Sequence, residues 1–269
     1  MKTFVIDISI CNGCYCCQVA CKDEHVGNDW LPYSRSQPDT GQFWMKLNEH
    51  IRGTVPKVKM HYIPVMCMHC DDAPCMKACP VEGALYKRDD GLVIIDPEKC
   101  NGCRNCVDVC PYGVIYFNEK FNLAQKCTGC THLLDDGWEL PRCVEACPTQ
   151  ALKFGEESEL QDLINKAEIM KAEANTKPRV YYRNIPGEFI AGTVFDPDTI
   201  EVVKGATCTL TNTTSGETFT ASTDGFGDFW FENLQSGPFS LRIEGDGKIK
   251  TIEDINSRNS VNLGSIPLT

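Results

Sequence analysis

Apolar and polar positions alternate at several places along the chain and mark its strands. Phe4, Ile6, Ile8 and Ile10 occupy every second position, the period of a strand, and lead into a cysteine-rich loop. Val19 to Val26 then predicts a short helix. Two apolar runs around Asp-Asp-Gly, from Ala84 to Asp96, predict a β-hairpin, and Gly113 to Gln125 predicts a second one turning near Asn118 to Asn122. Ala151 to Phe154 reads as a strand. Ser158 and Gln161 have the spacing of a capping box for a helix over 158–174, whose stripe of Leu160, Leu163, Ile164 and Ala167 would dock onto the rest of its domain. Residues 176–183 read as extended, and Ile185-Pro-Gly187 reads as a linker.

The pattern changes after the linker. Short alternating stretches at 189–195, 207–213, 217–223, 227–232, 239–244 and 261–266 are separated by Ser-Gly, Asp-Gly and Gly-Asp turns. Six such strands predict a small immunoglobulin-like β-sandwich over 186–269. The preceding 1–185 mixes short strands, loops and small helices, an α+β pattern. Residues 27–66, rich in Trp, Tyr, Phe and Pro, form an insertion that either packs against a partner, the safer reading, or covers the chemistry described next.

That chemistry lies in the cysteines. Of eighteen, sixteen fall into four groups of four. They are Cys11, Cys14, Cys17, Cys21; then Cys67, Cys70, Cys75, Cys79; then Cys100, Cys103, Cys106, Cys110; and last Cys127, Cys130, Cys143, Cys147. Three groups end in Cys-Pro, at Pro80, Pro111 and Pro148, and the third is the C-x2-C-x2-C-x3-C-P run of bacterial ferredoxins. In that run three thiolates grip one cubane and the fourth reaches to another, because a short loop can wrap one face only. Four groups therefore predict four 4Fe-4S clusters. A disulfide framework belongs in secreted chains, and the x2 spacings set neighbours too close to pair. Zinc ribbons rarely add a third cysteine two residues on and a fourth before proline.

Two ferredoxin-like modules follow, one nested in the other. The first and fourth groups make one module, and the second and third the other. The nesting assigns Cys11, Cys14, Cys17 and Cys147 to one cluster and Cys67, Cys70, Cys75 and Cys110 to a second. Cys79, Cys100, Cys103 and Cys106 hold a third, and Cys21, Cys127, Cys130 and Cys143 a fourth; spacing alone leaves other groupings open. Cys16 reads as a small buried hydrophobe and Cys208 as an inert strand residue. Lys22, Lys77, Lys99, Arg104, Lys126 and Arg142 each lie within two residues of a ligand cysteine. They either raise cluster potentials or are solvated surface charges.

A net charge of −11 argues against nucleic acid as a partner. Residues 1–10 do not read as a signal peptide, and no apolar run approaches the ~20 residues of a membrane span. The expected location is cytoplasmic, the alternative being export bound to a partner that bears its own signal.

The motifs Cys67-Met-His-Cys70, Ala73-Pro-Cys75, Pro111-Tyr-Gly-Val114 and Gln125-Lys-Cys-Thr128 resemble the iron-sulfur electron-transfer subunits of the dimethyl sulfoxide reductase family of molybdenum enzymes, over residues 1 to about 183. Cys130-Thr-His-Leu-Leu-Asp-Asp136, residues 176–182 and an appended transthyretin-like or Cna-B-like sandwich resemble a narrower family, the small subunits of pyrogallol-phloroglucinol transhydroxylases and resorcinol hydroxylases. The resemblance implies a heterodimer. A large catalytic subunit would carry molybdopterin guanine dinucleotide and add, move or remove a hydroxyl on a polyphenol ring, while this chain relays electrons to or from an external carrier and makes or breaks no substrate bond. Transhydroxylase small subunits lack a complete third group; here Cys79, Cys100, Cys103 and Cys106 are all present, which favours a hydroxylase or reductive dehydroxylase. Other readings are the corresponding subunit of an arsenate, formate, nitrate or sulfur-compound enzyme, a free polyferredoxin carrier, and a binding protein built around the sandwich.

Overall fold

Lys2–Asp7 is the middle strand of a three-stranded sheet in the computed structural model, which describes all residues from Met1 to Thr269. It runs antiparallel to Leu152–Glu156 and parallel to Val180–Arg183. Thr3, Phe4, Val5 and Ile6 are all buried, so both faces of this strand are covered, as a central strand requires. The strand stops at Asp7, short of the alternating pattern. The Asp7 carboxylate accepts the Ser9 amide at 3.1 Å and turns Ile8–Ile10 into a single 3-10 turn, leaving Ile10 exposed.

The chain divides into two units: Met1–Glu49 with His61–Ile185, and His50–Met60 with Pro186–Thr269. In the first, both small hairpins form, Leu85–Lys87 with Val93–Ile95 and Tyr116–Asn118 with Leu123–Gln125. Helices are few, and only Cys16–His25 reaches ten residues. The helix expected over 158–174 is not there. Only Gln161–Ile164 is α-helical, Leu160 rather than Ser158 precedes it, and no side chain caps it. The backbone has a better partner: Glu168 and Tyr182 exchange amide-carbonyl hydrogen bonds at 2.7 and 2.8 Å, which draws the chain out of the helix to bridge the edge strand. Lys171 then takes a left-handed conformation ahead of a 3-10 turn at Ala172–Ala174. The stripe residues are only half-buried.

The extended segment 176–183 is held along its length. Asp71 and Asp72 amides donate to the Lys177 and Thr176 carbonyls at 2.9 and 3.0 Å, and the Arg179 amide to Met68 at 2.8 Å. Buried Tyr182 donates its hydroxyl to the Pro64 carbonyl at 2.8 Å.

The second unit is an all-β sandwich. One sheet orders Asp228–Leu234, Glu188–Phe195 and Val261–Pro267; the other orders Thr218–Ser222, Thr207–Asn212, Pro238–Gly245 and Lys248–Asn256. Ile190, Phe229, Phe231, Leu210, Leu241 and Ile243 fill the space between them, with Cys208 fully buried among them. Seven strands form where six were expected. Lys248–Asn256 escaped because its apolar residues Ile249, Ile252 and Ile255 recur every third position, and Ile249 faces solvent. A register shift against Phe239–Leu241 absorbs the mismatch, as a β-bulge does.

The 27–66 insertion contains an unforeseen hairpin, Lys46–Thr54 with Lys57–Val65, whose tip groups with the sandwich. Buried Lys57 pairs with Asp228, the Arg52 guanidinium donates to the Gly187 carbonyl, and Asn262 Nδ2 donates to the Thr54 carbonyl at 3.1 Å. Gly53 has φ +81°, and a Cβ there would lie 2.4 Å from both the Lys57 carbonyl oxygen and Phe189 Cζ. Gly53→Ala should therefore destabilise this unit by at least the ~1–2 kcal/mol that a left-handed backbone costs a residue with a Cβ. Calorimetry of the iron-replete protein reads this as a lowered sandwich transition; an unmoved transition would show that the tip does not pack there.

Candidate iron-sulfur sites

Each group of cysteines ends on a helical turn. Cys17 lies in Cys16–His25, Cys75 in Pro74–Lys77, Cys106 in Asn105–Asp108 and Cys143 in Arg142–Glu145. The fourth cysteine follows four residues later in every case, at Cys21, Cys79, Cys110 and Cys147. Residues i and i+4 share a helix face about 6 Å apart, so one turn presents two thiols at different heights. Where proline follows, the helix ends within four residues; Lys22 follows Cys21, and that helix runs on to His25.

The preceding loops are shaped by left-handed residues. Gly13, Gly102 and Gly129 have φ of 70°, 75° and 66°, and a Cβ on Gly102 would meet the Asn122 carbonyl oxygen at 2.5 Å. In the second loop His69 takes that place with φ 44°. The turn aims backbone amides at sulfur: His69 N–H at Cys67 Sγ, 3.4 Å, and Gly129 N–H at Cys127 Sγ, 3.3 Å.

The thiols gather into sets. Cys67, Cys70, Cys75 and Cys110 line one recess, walled by Val93, Tyr112 and Ile115 among others. Cys79, Cys100, Cys103 and Cys106 line another. Cys17 feels the charges of Cys11, Cys147 and Cys14, and Cys143 those of Cys130, Cys21 and Cys127. The sets are themselves linked in a row. Cys21 and Cys143 feel Cys17, and Cys127 feels Cys67, so the fourth-group set lies between that of Cys11 and that of Cys67. The turns carrying Cys75/Cys79 and Cys106/Cys110 join the two lined recesses. All eighteen cysteines are free, and no three His, Cys, Asp or Glu side chains converge on a place for a single metal ion. Thiols spread around a recess suit a polynuclear cluster rather than one zinc.

Burial, followed by repulsion from neighbouring sulfurs, pushes the Cys17, Cys75 and Cys106 thiols up to about 12, 12 and 11. Without cations to bind, these groups stay protonated; as metal ligands they must be thiolates. Buried polar atoms beside them also lack protein partners: His69 Nε2, Trp44 Nε1, His25 Nδ1 and Thr128 Oγ1. His69 Nδ1 accepts the Val93 amide at 3.0 Å, so its proton resides on the unmatched Nε2. Trp44 adjoins Met45, whose amide bonds Cys21. Sulfide-rich clusters are acceptors such donors would satisfy, and the residues present fit them.

Three histidines near the cysteines went unread in the sequence, although Cys67-Met-His-Cys70 and Cys130-Thr-His132 display two of them. Burial first, then His132 and Lys22, drives His25 down to about 3, and burial holds His69 well below its ordinary value. His132, in the short helix Thr131–Asp135 that follows Cys130, stacks on Trp30 with ring centroids 4.3 Å apart and hydrogen-bonds Glu24 at 2.9 Å, so part of the aromatic insertion lies against that helix. Cys16 is exposed, contrary to expectation, because one residue along the helix from Cys17 turns it to the outer side. Cys208 is buried in the sandwich, its thiol pushed up to about 12 by burial.

Comparison with known proteins agrees with this geometry. Residues 58–157 match the family described as 4Fe-4S dicluster domain, and residues 190–263 the carboxypeptidase regulatory-like domain. Over 98% of its length the chain is 39% identical to the pyrogallol hydroxytransferase small subunit of Pelobacter acidigallici, covering 98% of that protein. The chain belongs to this family of iron-sulfur subunits. It also shares 34% identity with the arsenate respiratory reductase iron-sulfur subunit ArrB of Shewanella sp. strain ANA-3, over 66% of this chain and 94% of that one. With the B subunit of the anaerobic dimethyl sulfoxide reductase of Escherichia coli K12 it shares 37%, over 66% and 85%. Like these relatives it is an iron-sulfur, electron-transfer subunit of an oxidoreductase with 4Fe-4S clusters, and no helix in it is long and apolar enough to cross a membrane.

Cys103 is exposed at the mouth of the second recess, so replacing it disturbs little packing. Cys103→Ser should abolish or convert one electron paramagnetic resonance signal and spare the others; an unaltered spectrum would remove Cys103 from the ligands.

Proposed function

We propose that this chain is the four-cluster wire of a heterodimeric molybdopterin enzyme acting on polyhydroxylated aromatics. The observation that carries the reading is the end-to-end likeness to a pyrogallol hydroxytransferase small subunit, sandwich included, combined with a complete set of Cys79, Cys100, Cys103 and Cys106 around their own recess. The arsenate and dimethyl sulfoxide reductase relatives align with only 66% of the chain.

In this reading the two ferredoxin-like modules hold four clusters. Cys11, Cys14, Cys17 and Cys147 bind the first, and Cys67, Cys70, Cys75 and Cys110 the second. Cys79, Cys100, Cys103 and Cys106 bind the third, and Cys21, Cys127, Cys130 and Cys143 the fourth. Bound there, each cluster supplies storage for one transferable electron. The protein's part is spacing. Cys17/Cys21 and Cys143/Cys147 tie the first set to the fourth, and Cys75/Cys79 and Cys106/Cys110 the second to the third, each through one turn of about 6 Å, while the approach of Cys127 to Cys67 joins the two pairs into a row. The molybdopterin guanine dinucleotide belongs to the large partner subunit, where the ring chemistry occurs. Electrons enter or leave through an external carrier.

A transhydroxylation moves a hydroxyl with no net electron flow, whereas a complete row of four serves a reaction that consumes or yields electrons. A hydroxylase or reductive dehydroxylase therefore fits better. Reduced thiols in such number suit the cytoplasm, with export alongside a signal-bearing large subunit as the other route.

Anaerobic purification through a tag on this chain should bring a molybdenum-bearing large subunit in equal ratio and about sixteen irons per chain, four for each cluster. The complex should pass electrons between a polyphenol and a redox dye. A complex that moves hydroxyls between rings but never reduces or oxidises the dye would be a transhydroxylase instead, and a chain isolated alone with its iron would be a free carrier.

A further inference from the structure

Six cations flank the ligand cysteines, and the structure separates one from the rest. Lys77 pairs with Asp72, Lys99 with Asp96 at 3.0 Å, Arg104 with Glu119 at 2.8 Å, and Arg142 with Glu145 and Glu24. Lys22 is half-buried and spends its ammonium on the Pro38 and Gly41 carbonyls at 2.6 and 2.8 Å. Lys126 is 2% exposed and meets no carboxylate. Its Nζ donates to the carbonyls of Val93 and Cys127, the latter at 3.2 Å. Two neutral acceptors do not offset the desolvation of an ammonium, so a charge so deeply buried requires counter-charge nearby.

The counter-charge has an address. Val93, whose carbonyl Lys126 holds, walls the recess of Cys67, Cys70, Cys75 and Cys110. Cys127, on the other side, belongs to the set of Cys21, Cys130 and Cys143. The Lys126 charge acts on Cys75 and on Cys127. Those two sets are neighbours at the middle of the row, since Cys127 also feels Cys67. All-thiolate 4Fe-4S clusters are anionic and become more so on reduction.

We infer that Lys126 is an electrostatic positioning residue, a buried cation shared by the two central clusters, which stabilises the reduced form of both and keeps the midpoint of the row accessible to electrons. This rests on the ligand grouping proposed above. A shared cation stabilises an electron on either side of it, so it raises both central potentials and leaves the terminal pair, held by Cys11, Cys14, Cys17, Cys147 and by Cys79, Cys100, Cys103, Cys106, nearly untouched. Of the six, Lys126 alone is fully buried and acts on cysteines of two sets; carboxylates screen Lys77, Lys99, Arg104 and Arg142, and Lys22 is half-buried with the charge of Asp39 near it.

Potentiometric titration of the intact complex, followed by electron paramagnetic resonance, tests this with Lys126→Met and Lys126→Arg. The number of signals and the iron content of the native complex test the grouping separately. In the Met variant with native iron, the reduction equilibria of two clusters should shift about tenfold toward the oxidised form, a drop of about 59 mV for one electron, while the other two hold. The Arg variant should keep native potentials. Four unchanged potentials, or four that fall equally, would overturn the inference. Should the Met variant lose iron, an Arg variant with native iron and native potentials upholds the requirement for charge, and an Arg variant that also loses iron reduces Lys126 to packing.

Discussion

Thiolates repel one another and resist burial, yet this chain gathers sixteen of their parent thiols and buries nine of them. Burial and mutual repulsion push the inner thiols far above their ordinary value, so the sets can ionise only around something strongly cationic. Iron supplies that, and the metal is thereby part of the core as much as Phe4, Trp44 or Met66. The same constraint explains the surroundings. Loop amides point at sulfur, neutral histidines fill the gaps, and a lysine is buried without a carboxylate where two sets meet.

Connectivity comes from a repeated local device. A left-handed loop followed by a single helical turn delivers three thiols to one set and a fourth, four residues later, to its neighbour. Proline stops the turn in three copies. In the first copy Lys22 lets the helix continue, and His25 and its contacts with Trp44 and His132 result from the extra turns. A wire built this way does not depend on large secondary elements, which is why the unit has so few.

Much of this was legible in the chain. Cysteine spacing is set by the geometry of what is gripped, so the four groups and the small hairpins between them could be read directly, while spacing alone left the grouping of the thiols into sets open. Tertiary competition decided the rest. The 158–174 stripe looked helical, but Glu168 finds Tyr182, a partner far along the chain that no local period reveals. Lys248–Asn256 hides because an edge strand with a bulge keeps neither period. The Lys46–Val65 hairpin was masked by its charged residues, several of which are satisfied only by distant groups such as Asp228 and Glu232. Lys126 stood out in the sequence no more than five other cations; burial alone distinguishes it.

The two-part architecture separates tasks. The cysteine-bearing unit carries the current, while the sandwich, with its own apolar core and no ligand set, accounts for the likeness to aromatic-ring enzymes extending over the whole chain. Anomalous diffraction at the iron edge from crystals of the complex addresses the central claim most directly. Four separate iron peaks should appear in this chain, each enclosed by one of the four cysteine sets. Three peaks, or density that vanishes at the iron edge and returns at the zinc edge, would contradict it.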